Sequence, residues 1–457
     1  MKNKSAVLFF CFCFCFLAEG VFFFAGASFF SPSRADAQET LSLQEGLRLV
    51  TANNRSVRIA LKQQDVAMAD TLIARSPMLP TVNGSAGETL LAMQPKAIFD
   101  GITVPESEKD FYSYSLTVQQ VLWDFEGNAS RYGASKAILA ASRFDTMRIR
   151  NFAALQFTFA YYDLLESQKM VQVAKDELAR LQSHLKDAAN LYNQGVITKN
   201  DLLQAQVRIS DASQRLVSAR NARDIMAARI NDMLARPLET QFRPVDVPAG
   251  KVYYSGREGG EISPKDLSLA WKMAEEKRPE IAIVNETMRS LDLDRKAANS
   301  EYYPKFFAQG GYDYTKNHFV TPNGNWSLVL GLGINLYGGG ITRAEIDKID
   351  SQKEKLFEQK DKLTSDIRLE VETYSLDLQN ALRRIEATKD AVRQATENLR
   401  INRIRYEEGE GTATDVLDAL TLLTVAETND YRAEYDFRKA EAGFLYSQGN
   451  DLAEVYK

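Results

Sequence analysis

The chain has 457 residues, a formal net charge of −5, and 26% charged against 45% hydrophobic residues. This mixed, mildly acidic balance excludes a nucleic-acid surface, which needs a clustered basic face. The three cysteines, Cys11, Cys13 and Cys15, all lie in one N-terminal apolar segment, so a chain starting at Gln38 has neither a disulfide nor a thiolate metal site.

That N-terminal segment reads as an address. Lys2 and Lys4 precede an apolar run from Ala6 to Phe30, and Ala35-Asp36-Ala37 supplies a small-x-small cleavage pattern. Residues 1–37 are therefore expected to be a signal peptide; the rival is an uncleaved anchor, since the run is long enough to span a bilayer. No lipobox precedes a cysteine. No later segment reaches 18 uninterrupted apolar residues, so no further transmembrane helix is expected.

The rest of the chain is a duplication. Leu43 to Pro80 reads as helix, and its counterpart at an offset of 224 is Leu267 to Pro304, with Leu47/Trp271, Val57/Ile281, Ile59/Ile283 and Pro80/Pro304 in register. Each proline marks the passage from helix to extended chain. Tyr112–Gln119 then alternates apolar and polar residues, as a strand does. So does Trp326–Leu336, with Trp326, Leu328, Leu330, Leu332 and Ile334 on one face and Ser327, Gly331, Gly333 and Asn335 on the other. Hairpin logic supplies partner strands at about Val82–Leu90 and Phe306–Tyr314. The offset falls to 214 after these strands, so the first hairpin connection is ten residues longer; Pro95, Asp100-Gly101, Pro105 and the charged run Glu106–Asp110 make it an exposed loop.

One reading of these strands is a small sheet packed on helices. Their second faces of Ser, Thr, Gln, Gly and Asn resemble a lumen instead. Trp123, Tyr302, Tyr303, Phe306, Phe307 and Tyr337 fall where aromatic girdles sit in outer-membrane barrels. Strands of about ten residues also suffice to cross a bilayer when tilted. Four strands cannot close a barrel, and an open edge in lipid leaves backbone groups unsatisfied, so several chains must pool their strands.

After each hairpin runs a rod. Ile367, Val371, Tyr374, Leu378, Ala381, Ile385, Thr388, Val392, Ala395, Leu399, Asn402 and Tyr406 step by four and three without a slip, a heptad seam. A helix from about Ile341 to Glu408 would be roughly 100 Å long. Subtracting 214 gives the first copy of the seam, Ala153 to Tyr192. After each seam, turns at Gly195 and Gly409 lead into return helices at about Lys199–Ala235 and Thr414–Ser447, with Thr198 and Thr412 or Thr414 as N-caps. Each return helix and the helix that opens its copy should stack end to end beside the rod. The domain plan is therefore a first repeat 38–240, a Pro- and Gly-rich linker 241–264, a second repeat 265–450 and a C-terminal tail 451–457.

This duplicated plan resembles the TolC-type outer-membrane efflux and secretion channels. So does the run Gly411-Thr412-Ala413-Thr414-Asp415-Val416-Leu417-Asp418-Ala419, with its preceding Tyr-x-x-Gly turn. The likeness covers nearly all of the chain beyond residue 37. It implies a mainly α fold with a small membrane β portion, three chains forming a twelve-stranded β-barrel and an α-helical tunnel. It further implies outer-membrane lipid, a periplasmic adaptor (membrane fusion) protein and an inner-membrane pump of RND, ABC or MFS type as partners. By motif, Asp415 and Asp418 would ring the periplasmic entrance, on one helix face by their i, i+3 spacing. Tyr406 and Asp201 would link neighbouring helices there, and the turns at Gly195, Thr198, Gly409, Gly411 and Thr412 would receive the adaptor. Gly411 stands where the family places an arginine, so a closed entrance rests on other contacts or is looser.

No catalytic or cofactor reading survives. His184 is expected on a helix surface and His318 in a loop, each isolated, and Gly338-Gly339-Gly340 lacks the Lys-Ser/Thr of a phosphate loop. The alternative function is a poreless periplasmic coiled-coil adaptor or scaffold, which would explain the heptads but not the alternating strands.

Overall fold

The computed structural model describes residues 39–246 and 263–457; the expected signal peptide and most of the linker lie outside them. In chain order the elements are β1 (Glu39–Leu41), α1 (Leu43–Asn53), α2 (Arg55–Arg75), β2 (Thr81–Leu90), β3 (Lys96–Phe99), β4 (Ile102–Pro105), β5 (Asp110–Trp123), α3 (Gly127–Asn193) and α4 (Lys199–Met233). They continue with β6 (Phe242–Pro244), α5 (Pro264–Lys277), α6 (Pro279–Ser300), β7 (Lys305–Lys316), β8 (Gly324–Gly333), α7 (Ile341–Glu407), α8 (Ala413–Ser447) and α9 (Leu452–Val455).

The two rods α3 and α7 each have 67 residues, or about 100 Å at 1.5 Å per residue. All twelve seam positions from Ile367 to Tyr406 are buried or partly buried, and in the first copy only Tyr192 is exposed. α3 also buries Ala154, Leu155, Thr158, Tyr161, Tyr162 and Leu165 beside its seam, because α1, α2, α4, α6 and α8 all pack along it.

The helices expected over Leu43–Pro80 and Leu267–Pro304 are each broken in two. At Asn54 the backbone leaves helical geometry (ψ 135°) and the Asn54 side chain accepts from the Ser56 amide to start α2. At Arg278 (ψ 125°) the cause is Pro279, which disfavours helical geometry in the residue before it and starts α6. These breaks receive the ends of the return helices. Asn54 Nδ2 donates to Met233 O at the end of α4 (3.0 Å), and Lys277 Nζ donates to Asn450 Oδ1 just past α8 (3.4 Å). The end-to-end stacking expected beside each rod is thus built on the two breaks.

Around the first break lies the largest core. Leu43, Leu47, Val50, Phe157, Tyr161, Tyr162, Ile230 and Tyr435 meet Phe242 of β6, in the described part of the linker. Tyr161 Oη accepts from Val245 N (3.0 Å) and lies 2.8 Å from Leu41 O. Residues 451–457, set apart in the sequence as a tail, contribute α9 and bury Leu452 and Tyr456 in this same core.

At the far end from the helical turns, β2, β5, β7 and β8 form one antiparallel sheet in that order. Register puts Leu116 opposite Gly84 and Tyr312, and Tyr312 opposite Trp326. The long connection between β2 and β5 is not simply a loop: β3 and β4 pair as a hairpin, turning at Asp100 and Gly101, both with positive φ.

Where each rod begins, the chain must reverse from strand to helix through two left-handed residues. In the second copy these are Gly339 (φ 65°) and Gly340 (φ 83°); in the first, Phe125 (φ 52°) and Glu126 (φ 67°) take the same places without a glycine's freedom.

Candidate functional site

The sheet has two unlike faces. On one, Tyr112, Tyr114, Leu116 and Val118 of β5 lie level with Tyr312 and Gly310 of β7 and with Trp326, Leu328, Leu330 and Leu332 of β8. These side chains are bare: Trp326 and Leu328 are each 75% exposed and Leu330 73%. Ile334 and Leu336, expected within the strand, fall past its end at Gly333, though both remain exposed. The other face carries Asn83, Ser85, Ser113, Ser115, Thr117, Gln309, Asp313 and Ser327, with Ser85 and Ser115 hydroxyls 2.8 Å apart.

Trp123, Phe125, Tyr302, Tyr303 and Tyr337 gather, exposed, where the strands meet the helices, and Phe125 stacks on Tyr303 at 4.8 Å. Phe307 departs from the expected girdle. Register places it opposite Gly331 on the polar face, its ring filling the space a Cβ at Gly331 would need. β2 and β8 are the outer strands, and neither outer edge is paired among the described residues. An exposed apolar face with two open edges is unstable in water and invites both lipid and further strands.

At the opposite end, each rod turns back through a left-handed glycine, Gly195 and Gly409 (both φ 77°), where a Cβ would be strained. Thr198 caps α4 and Thr412 caps α8, so the cap is Thr412 and not Thr414. The two aspartates singled out next to the caps share one local task. Asp201 Oδ2 accepts from Thr198 N (3.0 Å) and Asp415 Oδ2 from Thr412 N (3.0 Å), completing reciprocal capping boxes. The hydrogen bonds from Thr412, helped by the nearby Arg405 charge, hold the Asp415 carboxyl below its usual range, so it is ionised at neutral pH. Asp418 is exposed one turn further along.

Tyr406 is buried (3% exposed) among Leu181, Ala212, Ala413, Val416, Leu417 and Leu420. Its hydroxyl has no hydrogen-bond partner; burial first, and then the nearby Asp201 charge, raise its pKa, but Asp201, the expected partner, is engaged in its cap. The expected Tyr406–Asp201 link is therefore not closed within one chain. Gly411 fits tightly: a Cβ there would lie 3.1 Å from Tyr406 N and 3.3 Å from the Arg405 carbonyl carbon and Cβ.

Two ion pairs that tie α3 to its neighbours near the turns were not singled out in the sequence. Arg403 Nη2 reaches Asp187 Oδ2 (3.1 Å), joining α7 to α3. Arg180 grips both oxygens of Glu427 (3.0 and 2.8 Å), joining α3 to α8. The repeat offset held a signal for the first pair, since Asp187 and Arg403 occupy nearly equivalent places in the two copies. His184, expected on a helix surface, is instead buried (5% exposed) against Tyr406, while His318 lies in an exposed loop 2.8 Å from Glu108 Oε1. Among the described residues no group of three or more His, Cys, Asp or Glu could hold a metal ion, and no helix is long and apolar enough to cross a membrane.

A bare-faced, open-edged sheet set on paired helical rods that end in tight glycine turns defines a protomer of the TolC-type outer-membrane channel class. The chain belongs to the outer membrane efflux protein family, whose model matches residues 46–236 and 271–447. It is 22% identical to the alkaline protease secretion protein AprF of Pseudomonas aeruginosa, over 90% of this chain and 84% of that one. It is 21% identical to the outer membrane protein TolC of Vibrio cholerae, over 82% of this chain and 83% of that one. The solved outer-membrane channel OprN shares its fold with a TM-score of 0.75 at 18% identity, covering 89% of both chains. So does the Vibrio cholerae outer membrane protein VceC (TM-score 0.74, 14% identity, 89% of this chain and 96% of that one).

Proposed function

We propose that three copies of this chain pool their sheets into a twelve-stranded barrel across the outer membrane and their rods into a periplasmic tunnel, the exit duct of a tripartite efflux pump or type I secretion system. The observation that carries this is the pair of unpaired edges on β2 and β8 beside a bare apolar face. Joining β8 of one chain to β2 of the next satisfies every edge, as a membrane barrel requires, and leaves the Ser- and Thr-rich face toward the lumen. A poreless scaffold in water leaves that apolar face uncovered.

Cargo enters at the Gly195 and Gly409 turns, which present Asp415 and Asp418 and receive a periplasmic adaptor coupled to an inner-membrane pump. The named relatives divide between protein secretion and small-molecule export, as AprF and the pyoverdine export protein OpmQ illustrate, so small molecules and proteins both fit this chain. Six carboxylates from three chains reinforce one another's field at the entrance and favour cations, within a screening length of about 8 Å at physiological salt. Reconstituted in a planar bilayer, the channel prefers cations and is blocked by trivalent cations from the periplasmic side. Asp415→Ala with Asp418→Ala removes the block while a trimeric mass in detergent persists. A monomeric mass defeats the barrel; an undiminished block removes these aspartates from the entrance.

A further inference from the structure

His184 sits about two turns above the tip of α3, its ring centroid 5.3 Å from that of Tyr406 on α7. Both residues line a pocket of about 330 Å³ between α3, α7 and α8, whose apolar walls come from Ala179, Leu399, Val416 and Leu420. Three buried polar atoms of the pocket-lining residues have no hydrogen-bond partner: Arg180 Nε, His184 Nε2 and Tyr406 Oη. Buried polar groups are ordinarily bonded to protein or ordered water, and the helices packed at this junction supply these three with no protein partner.

The charges around the imidazole are largely committed in pairs. On α3, Arg180 holds Glu427 of α8. Asp187 takes Arg403 of α7, and Arg403 also takes Glu407 (3.0 Å). On α4, Asp201 lies near Tyr406 but is bound in its helix cap. A proton on His184 would find two guanidiniums, Arg180 and Arg403, on the pocket walls, and the two wall carboxylates, Asp187 and Glu407, both already paired with Arg403.

We propose that His184 is a proton-operated latch at the entrance: neutral, it lets α3 close on Tyr406 of α7; protonated, it drives that junction apart and loosens the helical tips. The latch rests on the channel reading above. Its sign follows from linkage. Burial depresses the His184 pKa; Asp187 pulls it up in part, and Arg403 pushes it down. The opened, water-filled junction restores the ordinary value of about 6.5. The closed form therefore has its full stability above about pH 6.5 and loses it as the pH falls below that value, where the opened form binds the proton more readily. One proton per chain limits the effect to about tenfold in the open-to-closed ratio per pH unit per protomer.

The chain has only two histidines, which makes the test clean. Conductance of the reconstituted full channel is measured from about pH 7.5 down to about pH 5, above the range where ordinary carboxylates titrate. The wild type opens reversibly as the pH falls below about 6.5, His184→Gln stays at its neutral-pH conductance throughout, and His318→Gln responds as the wild type does. A pH response retained in His184→Gln, or a flat wild-type profile, overturns the latch. Hydrogen–deuterium exchange at the imidazole C2, read by mass spectrometry on the unmutated trimer, gives the His184 titration directly. A midpoint at or above about 6.5 overturns the latch even if the variant misfolds. Absence of any conductance at any pH defeats the channel reading, while the exchange measurement still decides whether His184 titrates low.

Discussion

The bare face of β8 can be tested with one charge. Leu328 lies near the middle of Gly324–Gly333, is 75% exposed, and stands opposite Gly310, so no side chain lies across from it. In a bilayer, Leu328→Arg buries a guanidinium near the hydrocarbon midplane at a cost of about 2–4 kcal/mol per protomer, roughly a 30- to 700-fold loss in the folded-to-unfolded ratio. Ser115→Arg places the same group on the other face, directly opposite Asp313. There, on the proposed lumen face, it gains a carboxylate neighbour and should cost less than about 1 kcal/mol, within the range of exposed ion-pair effects. Both variants are refolded into phospholipid vesicles and unfolded in guanidinium chloride, with the midpoint and slope compared to the wild type. Equal damage from the two substitutions would mean that both faces are buried in protein. No cost from Leu328→Arg would mean that water rather than lipid covers this face. Either result would refute the barrel orientation.

Two further outcomes follow from packing and backbone geometry. Phe157 is fully buried, and a Cβ added to Gly46 would lie 2.1 Å from its ring; Phe157→Ala should cost about 3–5 kcal/mol and Gly46→Ala about 1–3 kcal/mol. The double variant should cost less than the sum in a denaturation cycle, and simple additivity would show that the two do not touch. Glu126→Gly relieves a left-handed φ of 67° and should stabilise by about 1 kcal/mol, seen as a raised guanidinium midpoint; a lowered midpoint would mean that the Glu126 side chain outweighs the strain.

The rods were legible because a heptad seam is a local, repeated statement: each seam residue four or three places from the last commits the same helix face, and twelve such positions, ten of them apolar or aromatic, leave little choice. Strand sidedness was legible for the same reason, since a period of two fixes which of Leu328 and Ser327 shares a face with Trp326. The glycine turns and the first threonine cap were legible because Gly195, Gly409 and Thr198 act within a few residues of themselves; the second cap was legible only as Thr412 or Thr414 until the backbone chose Thr412. The breaks at Asn54 and Arg278 were harder. The apolar pattern runs through both; Pro279 was a local cue for the break at Arg278, whereas the break at Asn54 carries no proline and takes its place from the arriving end of α4.

What tertiary structure alone decided depends on contacts between distant segments. The sequence places His184 on a long helix but does not say that α7 will cover it with Tyr406, because a rod with neighbours on several sides buries more than its seam. Phe307 belongs by composition to an aromatic belt, yet the register of β7 against β8 lays it over Gly331, and register is a pairing property that neither strand carries alone. Asp201 and Asp415 show the same limit in reverse. The resemblance put Asp415 in an acidic ring and Asp201 in a link with Tyr406, and the chain uses both for local capping. Heptads, alternation and caps are short-range and survive reading one residue at a time. Which rod faces which, and what lies unpaired between them, is set by packing across some two hundred residues of intervening chain.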